Sequence, residues 1–213
     1  MDITGKIKDL LAFDFHFNLS NIPALIVLLL LYPAVLLLPE EAGYENGLIE
    51  NYQLLILLAG CFIWTIIPEY RHLFVMVGVI FFAMAVREVN SGRALFYAIP
   101  GRPNAFYSWD HIWYAPYRTP AVLLAVLICA VYFFKAKIYR EIEKLLSCTA
   151  IPVWNLLICG MCFIASAVLD KACNDLILEE TVELAAYISL FMTACVYAFN
   201  PCVRRGAAAS EHQ

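Results

Sequence analysis

Six stretches of this chain are almost free of charged residues over lengths close to what one helix needs to cross a membrane. The hydrocarbon core of a bilayer is about 30 Å thick, and a helix crosses it with about 20 residues. Backbone groups in lipid must pair within their own segment, and the stretches lack the alternation of barrel strands, so we expect helices. The predicted spans are 22–38, 52–67, 73–89, 120–134, 151–169 and 181–199. The sequence therefore predicts an all-α integral membrane protein, with residues 1–205 as one bundle of six transmembrane helices.

The composition agrees with lipid as the solvent of most side chains. Hydrophobic residues make up 63% of the chain and charged residues only 15%, against about 25% in an ordinary soluble domain. The formal net charge is −4, which argues against nucleic acid as a partner. Membrane lipids are therefore the expected surroundings, and an oligomer or a larger membrane complex is compatible with the sequence.

Three segments outside the spans have patterns of their own. Ile3, Ile7, Leu10 and Leu11 recur at helical spacing, which predicts a short N-terminal helix in the membrane interface. Residues 135–146 are amphipathic and basic, as expected of a helix on the cytoplasmic surface. Residues 206–213 are small and polar, which predicts a disordered tail.

The distribution of Lys and Arg predicts the orientation of the bundle. With a cytoplasmic N-terminus, nine of the fourteen basic residues lie inside and five outside, and the first outer loop is acidic. We therefore expect an inner-membrane protein with both termini in the cytoplasm. The segment from residue 87 to 118 breaks this trend, because it places four arginines outside. The topology holds only if these arginines have a role that outweighs the usual preference of Lys and Arg for the cytoplasmic side.

The cysteines and histidines do not form a recognisable reactive site. Cys159 and Cys162 form a C-x-x-C pair inside a span, but a quinone-linked thiol oxidoreductase also needs a second cysteine pair in an outer loop. We therefore interpret them as buried thiols on one helix face. The four histidines are scattered over both sides, and no nucleotide-binding or hydrolase motif is present. We expect no metal and no cofactor.

Ionisable residues near the membrane are concentrated at one level, the predicted outer end of the bundle. Arg87 and Glu88 close the third span, Asp170 follows the fifth, and Glu180 and Glu183 open the sixth. Charges at membrane depth cost about 2.5–3.5 kcal/mol each at a helix centre and usually pair with one another. This placement predicts one coupled polar cluster, which serves either as structural ion pairing or as a working site.

The predicted outer loop, residues 90–119, combines many aromatic residues with Arg93, Arg118 and His111. Tyr and Trp next to Arg are typical of the headgroup layer of a membrane. The loop is thus either an aromatic belt or a lid whose arginines hold a phosphate or carboxylate.

Three functions remain open on the sequence. The first is a membrane-embedded enzyme or binding protein that binds or processes an anionic lipid or lipid-linked substrate at the outer face. The second is a small proton-coupled transporter, and the third is a non-catalytic subunit or scaffold; the sequence does not decide whether the protein is an enzyme. The candidate acid/base residues are Glu88, Glu180, Glu183 and His111. The candidate substrate-binding residues are Arg87, Arg93, Arg118 and Asp170.

Overall fold

The computed structural model describes residues 13–65, 70–102, 104–172 and 175–199. This part of the chain is mostly helical. The exceptions are short turns, one two-residue strand pair, and residues 97–102 and 104–114, which include an isolated antiparallel bridge between Ala98 and Phe106. The helices are α1 Ile22–Leu29, α2 Leu31–Leu37, α3 Leu48–Cys61, α4 Arg71–Glu88, α5 Arg93–Phe96, α6 Ala115–Lys135, α7 Ile138–Cys148, α8 Val153–Ala172 and α9 Leu176–Phe199. Strand β1, Phe13–Asp14, pairs in parallel with β2, Ile151–Pro152. The predicted N-terminal helix at residues 3–11 and the predicted tail at 206–213 lie outside the described residues.

Four helical segments are long and apolar enough to cross a membrane. They are Leu19–Leu37, Ala115–Lys135, Val153–Ala172 and Leu176–Phe199. A fifth is reached if α4 is taken together with Asn90–Phe96, across a bend of 54°. The fold is therefore that of an all-α membrane protein. The sixth span stays a prediction, because α3 has 14 residues and a length of about 21 Å, short of the hydrocarbon thickness.

Two of the differences from the predicted boundaries occur at prolines. The first span is broken at Leu30, between α1 and α2. Pro33 lacks the N–H that would bond to the carbonyl of Leu29, and its ring crowds that carbonyl. Helix α6 starts at Ala115, five residues before the predicted start, with Pro116 in its first turn and Pro120 inside it. A proline is tolerated in the first turn, where its missing N–H has no partner to lose.

Helix α9 is the centre of the bundle. It packs against α8 on one side, against α3 on another, and against α1 and α2. Helix α3 also packs closely on α4, since a Cβ atom at Gly60 would overlap the ring of Phe81. The buried core between these helices includes Leu57, Phe74 and Tyr187. Small residues that let helix backbones approach are typical of packing in membranes.

Helix α6 lies apart from this core. None of its residues is buried, and its main packing partner is α7. The hydroxyl of Tyr132 on α6 lies 2.8 Å from Nδ1 of His72 at the start of α4. Helix α6 is therefore attached near its C-terminal end, and most of its surface faces the surroundings of the bundle.

Candidate functional site

The carboxylates that the sequence singled out meet at one end of the bundle. Helices α3 and α9 both begin at this end, and α4 finishes there. Their termini bring Glu50, Glu88, Glu180 and Glu183 within electrostatic range of one another. We call these four residues, together with Gln53, Arg87 and Tyr187, the carboxylate cluster.

An ion pair links α4 to α9 within the carboxylate cluster. Nη2 of Arg87 lies 2.5 Å from Oε1 of Glu183, and Nε of Arg87 lies 3.6 Å from Oε1 of Glu88. The Arg87 side chain is 63% exposed, whereas those of Glu88 and Glu183 are 8% and 7% exposed. The guanidinium therefore lies at the surface and covers two buried carboxyl groups.

The hydroxyl of Tyr187 connects the same two glutamates. It lies within hydrogen-bond distance of Oε1 of Glu88 and 2.8 Å from Oε1 of Glu183. Tyr187 is fully buried and follows Glu183 by one helical turn. Side chains of a helix lean towards its N-terminus, so the ring of Tyr187 reaches back to the level of Glu183.

Helix α3 contributes the other half of the cluster. Nε2 of Gln53 donates to the backbone oxygen of Glu180 at 2.9 Å and to its Oε2 at 2.8 Å. Oε2 of Glu50 accepts a hydrogen bond from the backbone N–H of Asn46. In the described part of the chain, Oε1 of Gln53 and Oε1 of Glu50 are buried and have no hydrogen-bond partner. Two buried acceptors in the cluster thus lack donors.

The charge of the cluster is unbalanced. Among the described residues, Arg87 is the cation that pairs with it, against four carboxyl groups. Charged groups in a low-dielectric interior are stable only when they are paired and hydrogen-bonded. Four ionised carboxylates with one guanidinium do not meet this condition, so the site needs additional positive charge when it is buried.

Arg93 and Arg118 lie in a separate aromatic layer. Their guanidinium carbons are 5.4 Å and 4.6 Å from the ring centroid of Trp109, and Nε of Arg93 donates to the backbone oxygen of Tyr107 at 2.9 Å. Arg93 also acts on Glu45: partial burial raises the pKa of Glu45, and the Arg93 guanidinium lowers it by less. Within the predicted loop 90–119, which contains α5 and the start of α6, both arginines therefore stack on aromatic rings.

Two further candidates do not join the carboxylate cluster. His111 is exposed, in the short turn Trp109–His111, and within the described residues its side chain makes no hydrogen bond or ion pair with the cluster. Asp170 is exposed near the end of α8, where it acts electrostatically on Glu179. The structure therefore brings together Arg87, Glu88, Glu180 and Glu183, and leaves His111 and Asp170 outside.

Sequence reasoning missed Glu50, Gln53 and Tyr187. Gln53 and Tyr187 are uncharged and lie inside predicted spans, so a search for charges passes over them. The available signal was spacing: Tyr187 follows Glu183 by four residues, and Gln53 follows Glu50 by three. Both spacings place the two side chains on one face of a helix.

The two cysteines of the C-x-x-C pair, Cys159 and Cys162, are buried and free, as expected of thiols on one helix face. Cys173 lies outside the described residues. Within the described ranges, no group of three or more His, Cys, Asp or Glu side chains is arranged to hold a metal ion.

Comparison with known proteins gives no family for this chain. No protein-family model, no curated protein and no solved structure matches it.

Proposed function

We propose that the chain is an inner-membrane protein with six spans and both termini in the cytoplasm. The distribution of Lys and Arg supports this topology, and a helix overlaps each of the six predicted stretches. A cysteine introduced at Asn46 should react with an impermeant thiol reagent in intact cells, and one at Ser210 should react only after the cells are opened. The reverse pattern would contradict the topology.

We propose that the carboxylate cluster binds and releases protons, which favours proton coupling among the functions that the sequence leaves open. The observation that carries this proposal is the position of the Tyr187 hydroxyl between Glu88 and Glu183. A hydroxyl has one proton and donates one hydrogen bond at a time. Both contacts are hydrogen bonds only if one of the two carboxyl groups is itself a donor, that is, a protonated acid.

The ion pair favours Glu88 as the protonated group. Glu183 has the close contact with the guanidinium of Arg87, which stabilises its ionised form. The hydroxyl of Tyr187 then donates to Glu183, and the acid proton of Glu88 is donated to the oxygen of Tyr187. Loss of that proton leaves two buried carboxylates on one hydroxyl, so its release requires a change in the packing of α4 against α9.

Burial favours a proton over a larger ligand in this cluster. The Glu88 and Glu183 side chains are at most 8% exposed, and Gln53 is fully buried. A lipid or solute cannot reach these carboxyl groups without opening the bundle, whereas a proton needs only a hydrogen-bonded path. The unpartnered oxygens of Glu50 and Gln53 are further acceptors that a proton or a bound water molecule would satisfy.

Infrared difference spectroscopy of the purified protein in lipid tests this proposal, because a protonated carboxyl group has a C=O band that a carboxylate lacks. Glu88→Gln should remove a component of that band at neutral pH and keep the fold, since the amide mimics the neutral acid. Glu183→Gln frees Arg87 to pair with Glu88 and removes the neighbouring carboxylate, so it should weaken this component as well. The matched control is Glu179→Gln, one residue from the cluster on the same helix, which should change neither band nor activity.

The opposite pattern would overturn the assignment. If the band component survives Glu88→Gln, Glu88 does not hold the proton. If no carboxyl band is present in the wild-type protein and no cluster variant changes a cellular phenotype, the ion pairs are structural. The chain would then be best described as a non-catalytic subunit of a membrane complex.

A second candidate function follows from the aromatic layer. Arg93 and Arg118 both stack on Trp109, and Arg118 is exposed at the start of α6. We propose that these two arginines bind an anionic headgroup of a lipid or lipid-linked ligand, with the exposed Arg87 at the same end of the bundle. An R93Q/R118Q variant should lose binding of such a ligand while the carboxyl bands stay unchanged. Roles for His111 and Asp170 in this ligand's chemistry remain predictions from the sequence.

A further inference from the structure

Glu50 is a buried acid in the first turn of α3. The residue is 7% exposed, and its Oε2 accepts a hydrogen bond from the backbone N–H of Asn46. Its other carboxyl oxygen, Oε1, is buried and has no hydrogen-bond partner within the described part of the chain. A buried carboxylate is stable in its ionised form only when it is paired with a cation and fully hydrogen-bonded. Glu50 has one hydrogen bond for two oxygens, so its hydrogen bonding does not meet this condition.

The charged groups around Glu50 are mostly acids. Helix α4, helix α9 and the short helical turn Glu40–Gly43 pack against α3. The charged side chains that they carry towards this end of the bundle are Arg87, Glu88, Glu179, Glu180, Glu183, Glu40 and Glu41. Among the described residues, Arg87 forms its ion pairs with Glu88 and Glu183, and none with Glu50. Since Glu45 and Glu88 act on Glu50 as like charges, its ionised form is disfavoured.

Gln53 lies on the same face of α3, three residues after Glu50, and is fully buried. Its Nε2 donates to the backbone oxygen of Glu180 at 2.9 Å and to Oε2 of Glu180 at 2.8 Å. These two acceptors identify this end of the amide as the NH₂ group, so the other end is the oxygen. That oxygen, Oε1, is buried and has no donor in the described ranges. The same face of α3 therefore carries two buried acceptors without donors, one on each residue.

A single proton resolves both of these unpaired oxygens. Two acceptors cannot bond to each other, but a proton on Oε1 of Glu50 turns that oxygen into a donor, and Oε1 of Gln53 is the acceptor on the same face. A bound water molecule would also supply donors, but it would leave the charge of Glu50 buried without a cation. A metal ion would need more ligands, and the described residues contain no group of three or more His, Cys, Asp or Glu side chains arranged to hold one. The proton is the occupant that removes both the missing hydrogen bonds and the buried charge.

We propose that Glu50 is a second proton-binding residue of the carboxylate cluster, neutral at pH 7, with its acid proton donated to Oε1 of Gln53. This inference deepens the proposed function and rests on it, because Glu88 then holds one proton and Glu50 another. Two of the four carboxyl groups are neutral in this state, and the other two, on Glu180 and Glu183, face one guanidinium. The cluster therefore exchanges two protons with water, one on α4 and one on α3.

Infrared difference spectroscopy of the purified protein in lipid tests this second site. Glu50→Gln should remove one component of the protonated carboxyl band at neutral pH and keep the fold, because the amide can accept from Asn46 and donate to Gln53. The component assigned to Glu88 should remain, since the substitution replaces one neutral group by another. Glu41→Gln, an exposed acid in the turn before α3, is the matched control and should leave the band unchanged.

The two proton sites fail in different ways. If Glu88→Gln removes a component and Glu50→Gln removes none, the second site is refuted and the proposed function stands. If Glu50→Gln removes a component and Glu88→Gln removes none, the assignment to Glu88 is wrong and the site at Glu50 stands. An equal loss in Glu41→Gln would also refute the assignment to Glu50.

Proton release on unfolding keeps the test valid if Glu50→Gln fails to fold. An exposed glutamic acid has a pKa of about 4.3 and is ionised at pH 7, so a neutral Glu50 loses its proton when the chain unfolds. The Glu88→Gln protein, which lacks the first site, should still release about one proton per chain on unfolding, because Glu50 is neutral in its folded state. A pH indicator in weakly buffered solution measures this release. Unfolding of Glu88→Gln without proton release would overturn the proposal.

Discussion

Replacing Tyr187 by Phe removes one oxygen atom from the centre of the carboxylate cluster and leaves the packing of the ring in place. The ring lies 5.6 Å from that of Phe163, centroid to centroid, and this contact does not involve the hydroxyl. The substitution therefore creates no cavity. Its effect on stability measures the hydrogen bonds to Glu88 and Glu183.

The expected decrease in the free energy of unfolding follows from the two hydrogen bonds that Tyr187→Phe removes. Hydrogen bonds between side chains in membrane proteins contribute about 0.6 kcal/mol on average and up to about 1.7 kcal/mol. Both contacts of Tyr187 involve carboxyl groups, and both carboxyl groups are buried, which places them in the upper part of this range. We expect Tyr187→Phe to lower the free energy of unfolding by about 1–3 kcal/mol.

Reversible unfolding in mixed micelles of a mild detergent and SDS measures this free energy. Tyr197→Phe is the matched control, because Tyr197 lies on the same helix and its hydroxyl makes no hydrogen bond among the described residues. In a Glu88→Gln background, Tyr187→Phe should cost less than in the wild type, since the two groups are coupled. A loss below about 0.5 kcal/mol for Tyr187→Phe, or an equal loss for Tyr197→Phe, would refute the bridging role.

Three other outcomes are expected. Gly60→Ala should destabilise the protein by about 1–3 kcal/mol, because the new Cβ would overlap the ring of Phe81 on the facing helix. Gly160→Ala is the control, since no atom lies within 4 Å of its new Cβ. Thermal unfolding of the two variants measures the difference. Arg87→Gln should lower stability by about 3 kcal/mol, because it leaves the buried carboxylate of Glu183 without its cation. Adding Glu183→Gln should recover part of that loss in a double-mutant cycle. The raised pKa of Glu45 means that its neutral form is favoured in the folded state. The free energy of unfolding should therefore fall as pH rises from the ordinary Glu pKa through the raised one. Unfolding curves of Glu45→Gln should lack that part of the pH dependence.

The sequence predicts the helices well and their partners poorly. Each of the six apolar stretches contains a helix, because hydropathy and the need to pair backbone groups in lipid act locally. The break after Leu29 and the early start of α6 depend on where Pro33 and Pro116 fall within a turn, which a count of apolar residues does not register.

In the site, too, the position of a residue along a helix is predictable from the sequence, and its contacts are not. Charges at the ends of spans indicate depth along the membrane normal, which is why Glu88 and Glu183 could be placed at one level from the sequence. The rotation of each helix about its axis decides which side chains meet, and that depends on packing between helices. Asp170 lies at a similar level, but its side chain is exposed on α8. Tyr187 carries no charge, so only its contacts with Glu88 and Glu183 in the folded bundle reveal the role of its hydroxyl.

Helix α6 has no buried residue along its length. The side chains between its two ends therefore need to be apolar, but they do not need to fit the shape of a neighbouring helix. In a saturation mutagenesis experiment, positions 121–131 should accept any exchange among Val, Leu, Ile and Phe, while the buried positions of α9 should accept few. A single Asp or Lys at the middle of α6 would have no partner, and it should make the free energy of membrane insertion less favourable by about 2.5–3.5 kcal/mol. This helix should therefore tolerate changes in side-chain size and reject charge.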